Sequence, residues 1–305
     1  MIVSHCAFTK EGLQNMLFNR EIRQIELFGS LVPEPRILID FLGFEKHVVQ
    51  IRGRRGVSIS PLWYDHAAYF SIDLPPEKLY GNGCTVEVPN FVKALDYELE
   101  IGCLVTKKAM LKSLPQAVEF FQENCLLTIL NDWSARDIQK KDMEGLGPAN
   151  SKFIIGKSIG PKFVKASQFK IDENGVFDMP VKLSVNGKLR TDSNYNTIYH
   201  THPSTKTKSA WSFPKLLTFL GNLNIAVEPG YLLGSGTVGD GCIAEFSAKI
   251  DPSTGKEIEP AKYPWLQDGD KVVIEVDHIG ELANTVKFVE SPNYAKSLAG
   301  VAACK

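Results

Sequence analysis

The chain lacks a surplus of either charge. Its 34 Lys and Arg stand against 35 Asp and Glu, a formal net charge of −1, which leaves no electrostatic footprint for nucleic acid or an anionic membrane surface. Long apolar runs are missing as well. Stretches such as Cys125-Leu126-Leu127 fall far short of the roughly 20 residues that span a bilayer. The start, Met1-Ile2-Val3-Ser4-His5-Cys6, has neither a basic opening nor an extended apolar stretch, so we expect a protein that is not secreted and works in the cytoplasm. No C-x-x-C pair occurs among Cys6, Cys84, Cys103, Cys125, Cys242 and Cys304. In a chain this size they read as reduced thiols, mostly in the core. There is no internal repeat and no low-complexity tract. What remains is the ordinary apolar content of a soluble globular protein, 44%, in 305 residues, enough for one large domain or two small ones.

The most informative stretch is Leu130-Asn131-Asp132-Trp133-Ser134-Ala135-Arg136-Asp137-Ile138-Gln139, followed by Gly147-Pro148-Ala149-Asn150-Ser151-Lys152. An apolar run ends in a carboxylate and a helical signal begins. On such a helix Asp132, Arg136 and Gln139 stand at i, i+4 and i+7 and share one face. An acid, a guanidinium and an amide aimed one way can hold a metal and a developing anion. A solvated i,i+4 ion pair is the plainer alternative.

Upstream, Leu95-Asp96-Tyr97-Glu98-Leu99-Glu100-Ile101-Gly102 reads as a strand running into Cys103-Leu104-Val105. Strand alternation points Glu98 and Glu100 one way and Tyr97, Leu99 and Ile101 the other. Two neighbouring glutamates on an apolar strand repel and resist burial. A hard divalent cation removes both problems, and so does a polar face in water. In Asp40-Phe41-Leu42-Gly43-Phe44-Glu45-Lys46-His47 the flanking apolar residues recur near helical spacing. Asp40 and His47 at i and i+7 then lie on nearly the same side, although Gly43 weakens a helix there.

We expect helices over about 36–53, from Ser113-Leu114-Pro115-Gln116 (an S-x-x-Q capping box), after Trp133, and over 211–220. Strands are expected at 84–89, 95–105, 125–131, 161–165, 180–186, 243–249 and 271–277, with Asn186-Gly187 as a two-residue hairpin turn. The division is a leader over 1–34 of uncalled fold, one β-rich catalytic domain over 35–290, and a small polar tail over 291–305 that frays. Gly234-Ser235-Gly236-Thr237-Val238-Gly239 satisfies the dinucleotide fingerprint G-x-G-x-x-G. The residues after it read as a strand and not the required helix, so a nicotinamide-dependent oxidoreductase is set aside. A tight turn whose amides and Thr237 hydroxyl face a substrate carboxylate fits better.

Taken in order over about residues 36–290, these pieces resemble the fumarylacetoacetate hydrolase superfamily. The carrying segments are Asp40-Phe41 to His47, the E-x-E strand, Asn131 to Gln139, Gly234 to Gly239 with Gly241-Cys242-Ile243-Ala244-Glu245-Phe246, and the hairpin around Trp265 to Gly280. The resemblance implies an α+β, β-rich fold, the mixed β-roll or sandwich of that family's C-terminal domain. It implies one divalent ion, Mg²⁺ or else Mn²⁺ or Ca²⁺, held by Asp40, Glu98, Glu100 and Asp132. It makes His47 the base that takes a proton from water and Glu245 its orienting partner. Arg136, Gln139 and Lys152 become the stabilisers of an oxyanion. Thr237 and Phe70 fall at the substrate, a small keto acid, and a homodimer is implied.

Departures from the pattern narrow this. The fumarylacetoacetases proper carry pocket tyrosines where Leu42 and Phe70 stand here, and the acidic and threonine residues common after the lysine are missing after Lys152. Buried hydroxyls that read a substrate oxygen contribute strongly to discrimination, so their loss implies another substrate. The expectation is a metal-dependent hydrolase of a C–C bond in an acylpyruvate-like β-diketo acid. An isomerase, decarboxylase or dehydratase of a 2-keto acid on the same scaffold stays open. A non-catalytic binding protein on this fold predicts decay of the charged positions, and all of them are present.

Overall fold

A computed structural model describes residues 24–27, 30–251 and 253–291. Most of the expected leader over 1–34 and nearly all of the tail over 291–305 lie outside the described residues. A seven-stranded sheet carries the architecture. Its strands are β1 (Ile37–Phe41), β2 (Tyr69–Asp73), β3 (Leu79–Tyr80), β5 (Leu99–Val105), β6 (Cys125–Asn131), β7 (Lys157–Lys165) and β10 (Tyr231–Gly234). A five-stranded sheet holds β4 (Thr85–Pro89), β8 (Pro180–Val185), β9 (Lys188–Asn194), β11 (Lys271–Val276) and β12 (Gly280–Val289). The spatial orders are β2-β1-β10-β5-β6-β7-β3 and β9-β8-β11-β12-β4. Pairs β1–β10, β7–β3 and β12–β4 are parallel and the other neighbours antiparallel. This is the α+β, β-rich architecture expected.

Two apolar clusters sandwich the larger sheet. Ile39, Leu99, Ile101, Cys103, Leu127, Ile129 and Leu233 join the main core, which continues into Val181, Ile274 and Val286 of the smaller sheet. Their sequence neighbours Leu38, Leu104, Leu130 and Leu232 point the other way into a second cluster with Ile72 and Ile159. All seven residues of β5 are buried, as a strand covered on both faces must be. The expected alternation holds, since Tyr97, Leu99 and Ile101 all face the main core. Asp40 and Glu100 share parity with the second set and therefore the opposite face.

The helices are α1 (Glu45–Arg54), α2 (Leu62–Asp65), α3 (Leu114–Asn124), α4 (Arg136–Asp142), α5 (Ala149–Phe153) and α6 (Phe213–Asn222). Three expectations are corrected. Residues 36–53 are not one helix, because Ile37-Leu38-Ile39 is drawn into the sheet between β2 and β10. The helix starts only after Gly43, where an added Cβ would meet Ser235 O at 2.5 Å. Residues 243–249 are not a strand. Ile243–Phe246 is a 3-10 turn, and only Lys249–Ile250 is extended afterwards. Asp132 is not on the Arg136 helix. Its N–H donates to Glu98 O at 3.1 Å, and Ser134–Ala135 pairs with Leu95–Asp96, so helix geometry begins at Arg136. The strand over 125–131 and the hairpin turn follow expectation. Asn186 and Gly187 both take positive φ (51° and 73°), the requirement of a type I′ turn. Ser113 precedes α3, but its side chain makes no cap bond there.

Candidate active site

Three chain segments deliver acids to one end of the larger sheet's inner strands. Asp40 lies near the end of β1, in register with Gly234 of β10, and Gly234 is in register with Gly102 of β5. Glu100 is on β5, Glu98 just before it, and Asp132 just past β6. The antiparallel pairing of β5 with β6 puts Leu99 opposite Asn131, which is why segments 32 residues apart meet. Asn131 Oδ1 accepts from Glu98 N at 3.0 Å and fixes the entry to β5.

Asp40, Glu100 and Asp132 offer carboxylate oxygens within 4.8 Å of one another, and all three are buried. Burial, then the charge of Asp132, raises Asp40 well above the ordinary carboxylate range. Burial, then Asp40, does the same to Glu100. Glu98 is placed differently. Its oxygens take Arg136 Nη2 at 2.5 Å and Lys152 Nζ. Burial opposes its ionisation, yet those two cations hold it well below its ordinary value. Lys152 Nζ also reaches Asp132 Oδ2 and Ser134 Oγ (2.7 Å), with the Phe70 ring centroid 5.9 Å away. Arg136 Nη1 donates to Gln139 Oε1 at 2.9 Å. Glu100 takes Gly236 N at 3.1 Å and the Thr237 hydroxyl at 3.4 Å, so the donors expected to face a substrate serve Glu100.

The residues fit a divalent cation. Asp40 Oδ1 is buried without a hydrogen-bond partner. A Cβ on Gly234 would fall 2.9 Å from both Asp40 Cγ and Glu100 Oε2, and closer still to Asp40 Oδ1, so the glycine keeps a cradle open between two acids. Asp40, Asp96, Glu98, Glu100 and Asp132 are buried beside three cations, the buried Lys152 and Lys157 and the partly buried Arg136. With all groups ionised, two negative charges are in excess, which matches a hard 2+ ion on oxygen ligands.

Next to the acids, His47 Nδ1 lies 2.9 Å from Glu245 Oε1, both side chains buried. His47 sits in the first turn of α1, and Glu245 in the 3-10 turn. Glu245 is further fixed by Asp240 N (3.1 Å) and Cys242 N (3.0 Å). A positive charge placed on His47 favours the ionised form of Glu98, so the pair and the acids are electrostatic neighbours.

Three residues without an expected role belong to this constellation. Lys157 is fully buried, with Nζ 2.5 Å from Asp132 Oδ1 and 2.5 Å from Lys152 O. Burial lowers its pKa and Asp132 opposes the drop. Asp240 accepts from Lys46 and Gln50 (2.6 Å) on either side of His47. Asp96 accepts from Arg136 Nε at 2.8 Å. Its place two residues before Glu98 was a usable signal, because strand parity puts it on the same side. Nothing local marks Lys157.

The family described as fumarylacetoacetate (FAA) hydrolase C-terminal matches residues 36–287, and the chain belongs to that family. Oxaloacetate tautomerase YisK of Bacillus subtilis is 26% identical over 279 residues, covering 88% of this chain and 75% of that protein. Fumarylacetoacetase of Dictyostelium discoideum is 28% identical over 210 residues, covering 61% of this chain and 48% of the relative. The structure of fumarylpyruvate hydrolase from Pseudomonas aeruginosa in complex with Mn²⁺ and pyruvate superposes with TM-score 0.61 at 19% identity, covering 90% of this chain and 99% of that one. At that identity the likeness establishes the fold. Among the described residues no helix is long and apolar enough to cross a membrane.

Proposed function

We propose that the chain is a divalent-metal-dependent hydrolase that cleaves a C–C bond in a β-diketo acid of the acylpyruvate or fumarylacetoacetate-like class. The carrying observation is the buried His47–Glu245 pair, 2.9 Å apart, next to an acid cluster with the charge balance of a 2+ site. Mg²⁺ is the ion proposed, with Mn²⁺ or Ca²⁺ as substitutes, and Asp40, Glu98, Glu100 and Asp132 would hold it. Such an ion supplies Lewis acidity that polarises a substrate carbonyl.

His47 does the proton work. Its Nδ1 faces Glu245, so Nδ1 carries the hydrogen and Nε2 is the free base. Nε2 takes a proton from water as the water oxygen bonds to the distal carbonyl carbon, and Glu245 stabilises the imidazolium. The tetrahedral oxyanion meets the cationic edge of the site, Arg136 and Lys152, with Gln139 holding the guanidinium in place. The C–C bond then breaks, and its electron pair goes to the methylene carbon, which accepts a proton to give a 2-keto acid. The other fragment leaves as a carboxylic acid carrying the water oxygen. Phe70 would line the keto-acid side, where its ring faces Lys152.

A second reading, isomerisation or tautomerisation of a 2-keto acid, draws on the name of the Bacillus subtilis relative. It needs proton transfer at carbon and no water attack. Turnover of an acylpyruvate in water labelled with heavy oxygen separates the two. Label in the released carboxylic acid supports hydrolysis. Loss of substrate absorbance with no cleavage products and no label moves the function to the isomerase reading.

A further inference from the structure

Asp96 belongs to neither the acid trio nor the His47–Glu245 pair, yet it is fully buried and both its oxygens are engaged across the two. Oδ1 accepts from Ile243 N at 2.7 Å. Oδ2 accepts from Ala244 N at 3.0 Å and from Arg136 Nε at 2.8 Å. Ile243 and Ala244 open the 3-10 turn that carries Glu245, and the first N–H groups of a turn need partners from outside it. Arg136 spends its remaining nitrogens on Glu98 and Gln139. The backbone of Asp96 pairs with Ser134, and Arg136 N donates to Ala94 O at 2.8 Å, so the arginine is rooted on the same short ladder.

We propose that Asp96 is a positioning residue that locks the oxyanion-stabilising arginine to the turn presenting Glu245, so that the two halves of the site hold a single relative geometry. The proposal rests on the reading of His47–Glu245 as the proton-transfer pair. A carboxylate suits the task and a carboxamide does not. Three N–H donors converge on two acceptor oxygens, and an amide would turn its own donors toward one of them.

Asp96→Asn in the full chain tests this. The first readout is the ¹⁵N spectrum of the His47 ring in the metal-free protein. We expect the bonded Nδ1–H form in the parent and a mixture of tautomers in the variant. The second is pyruvate affinity of the Mn²⁺-loaded protein, expected to fall at least about tenfold, the scale of a lost charge-assisted hydrogen bond. Ala244→Pro removes one donor and leaves the carboxylate intact. It should disturb the His47 signal and spare pyruvate affinity, and it carries the test if Asp96→Asn does not fold. Asp137→Asn is the control for a merely structural acid, since Asp137 accepts from Lys93 N and Ala94 N. It should leave both readouts at parent values. Parent-like His47 tautomer and pyruvate affinity in Asp96→Asn, or a control that behaves like it, overturns the proposal. No readout needs turnover, so a parent that hydrolyses no diketo acid retires the hydrolase reading separately.

Discussion

Gly234→Ala probes the proposed metal cradle without replacing any of its acids. Gly234 lies on β10 with the acid-bearing strands β1 and β5 on either side. Ordinary contact at a Cβ begins at 3.4 Å, whereas the new methyl would sit 2.9 Å from Asp40 Cγ and Glu100 Oε2 and nearer to Asp40 Oδ1. The Asp40 carboxylate must retreat by about an ångström or rotate away. Overpacking of this kind costs about 1–3 kcal/mol of stability. Displacing one ligand through its surroundings should weaken the ion by about 10–100-fold. Gly102→Ala on β5 is the matched control. Its methyl meets side-chain carbons of Leu232 and Thr128 at 3.2 Å and no carboxylate, so it should cost less stability and leave affinity unchanged. Calorimetric titration with Mn²⁺ and a thermal melt of both variants give the two numbers. Equal Mn²⁺ affinity in parent and Gly234→Ala would refute the assignment of Asp40 and Glu100 as ligands.

His47→Ala should retain Mn²⁺ affinity within about threefold and lose diketo-acid hydrolysis by about 10²–10⁴-fold, the usual worth of a general base; turnover near the parent rate would put the base elsewhere. Asp40 and Glu100 are raised in the metal-free protein, so they bind protons that a cation must displace. Mn²⁺ affinity should therefore rise with pH from the ordinary carboxylate range up to the raised values, with about two protons released per ion when both groups start protonated. In the same window the metal-free fold binds more protons than the unfolded chain, so its stability falls as pH rises, and bound Mn²⁺ should cancel that fall. Titrations in two buffers of different ionisation enthalpy count the protons, and no release counts against the assignment. Asn186→Ala should cost roughly 1–2 kcal/mol in urea unfolding, because alanine resists the positive φ there. It also loses the bonds to Asp270 (2.7 Å) and Lys271 N (2.9 Å).

Much of the sheet was legible because strand alternation is a local signal. The run from Leu99 to Val105 and the turn at Asn186-Gly187 are written in neighbouring residues. The boundary errors share one cause. Ile37 to Phe41 has apolar spacing compatible with a helix, and only the partners β2 and β10 decide for a strand. The residues after Gly241 look extended, yet the carboxylates of Asp96 and Glu245, one of them 147 positions away from Ile243, fold them into a turn. Asp132 reads as a helix start because the pairing of Ser134–Ala135 with Leu95–Asp96 just after it is invisible locally. The acids of the candidate site were legible as residue types, since carboxylates at short spacing on an apolar strand need either a cation or solvent. The engagement of Glu98 by Arg136 and Lys152, and the second lysine at Asp132, depend on packing that no spacing encodes.

The central claim is metal-dependent C–C hydrolysis of a β-diketo acid. Its most direct test follows acylpyruvate absorbance with purified protein in Mg²⁺ or Mn²⁺ and in EDTA, with products identified. The account predicts metal-dependent loss of the diketo absorbance, with pyruvate and the matching carboxylic acid appearing in equal amounts. Absence of cleavage across a series of acylpyruvates, with turnover confined to oxaloacetate, would contradict it.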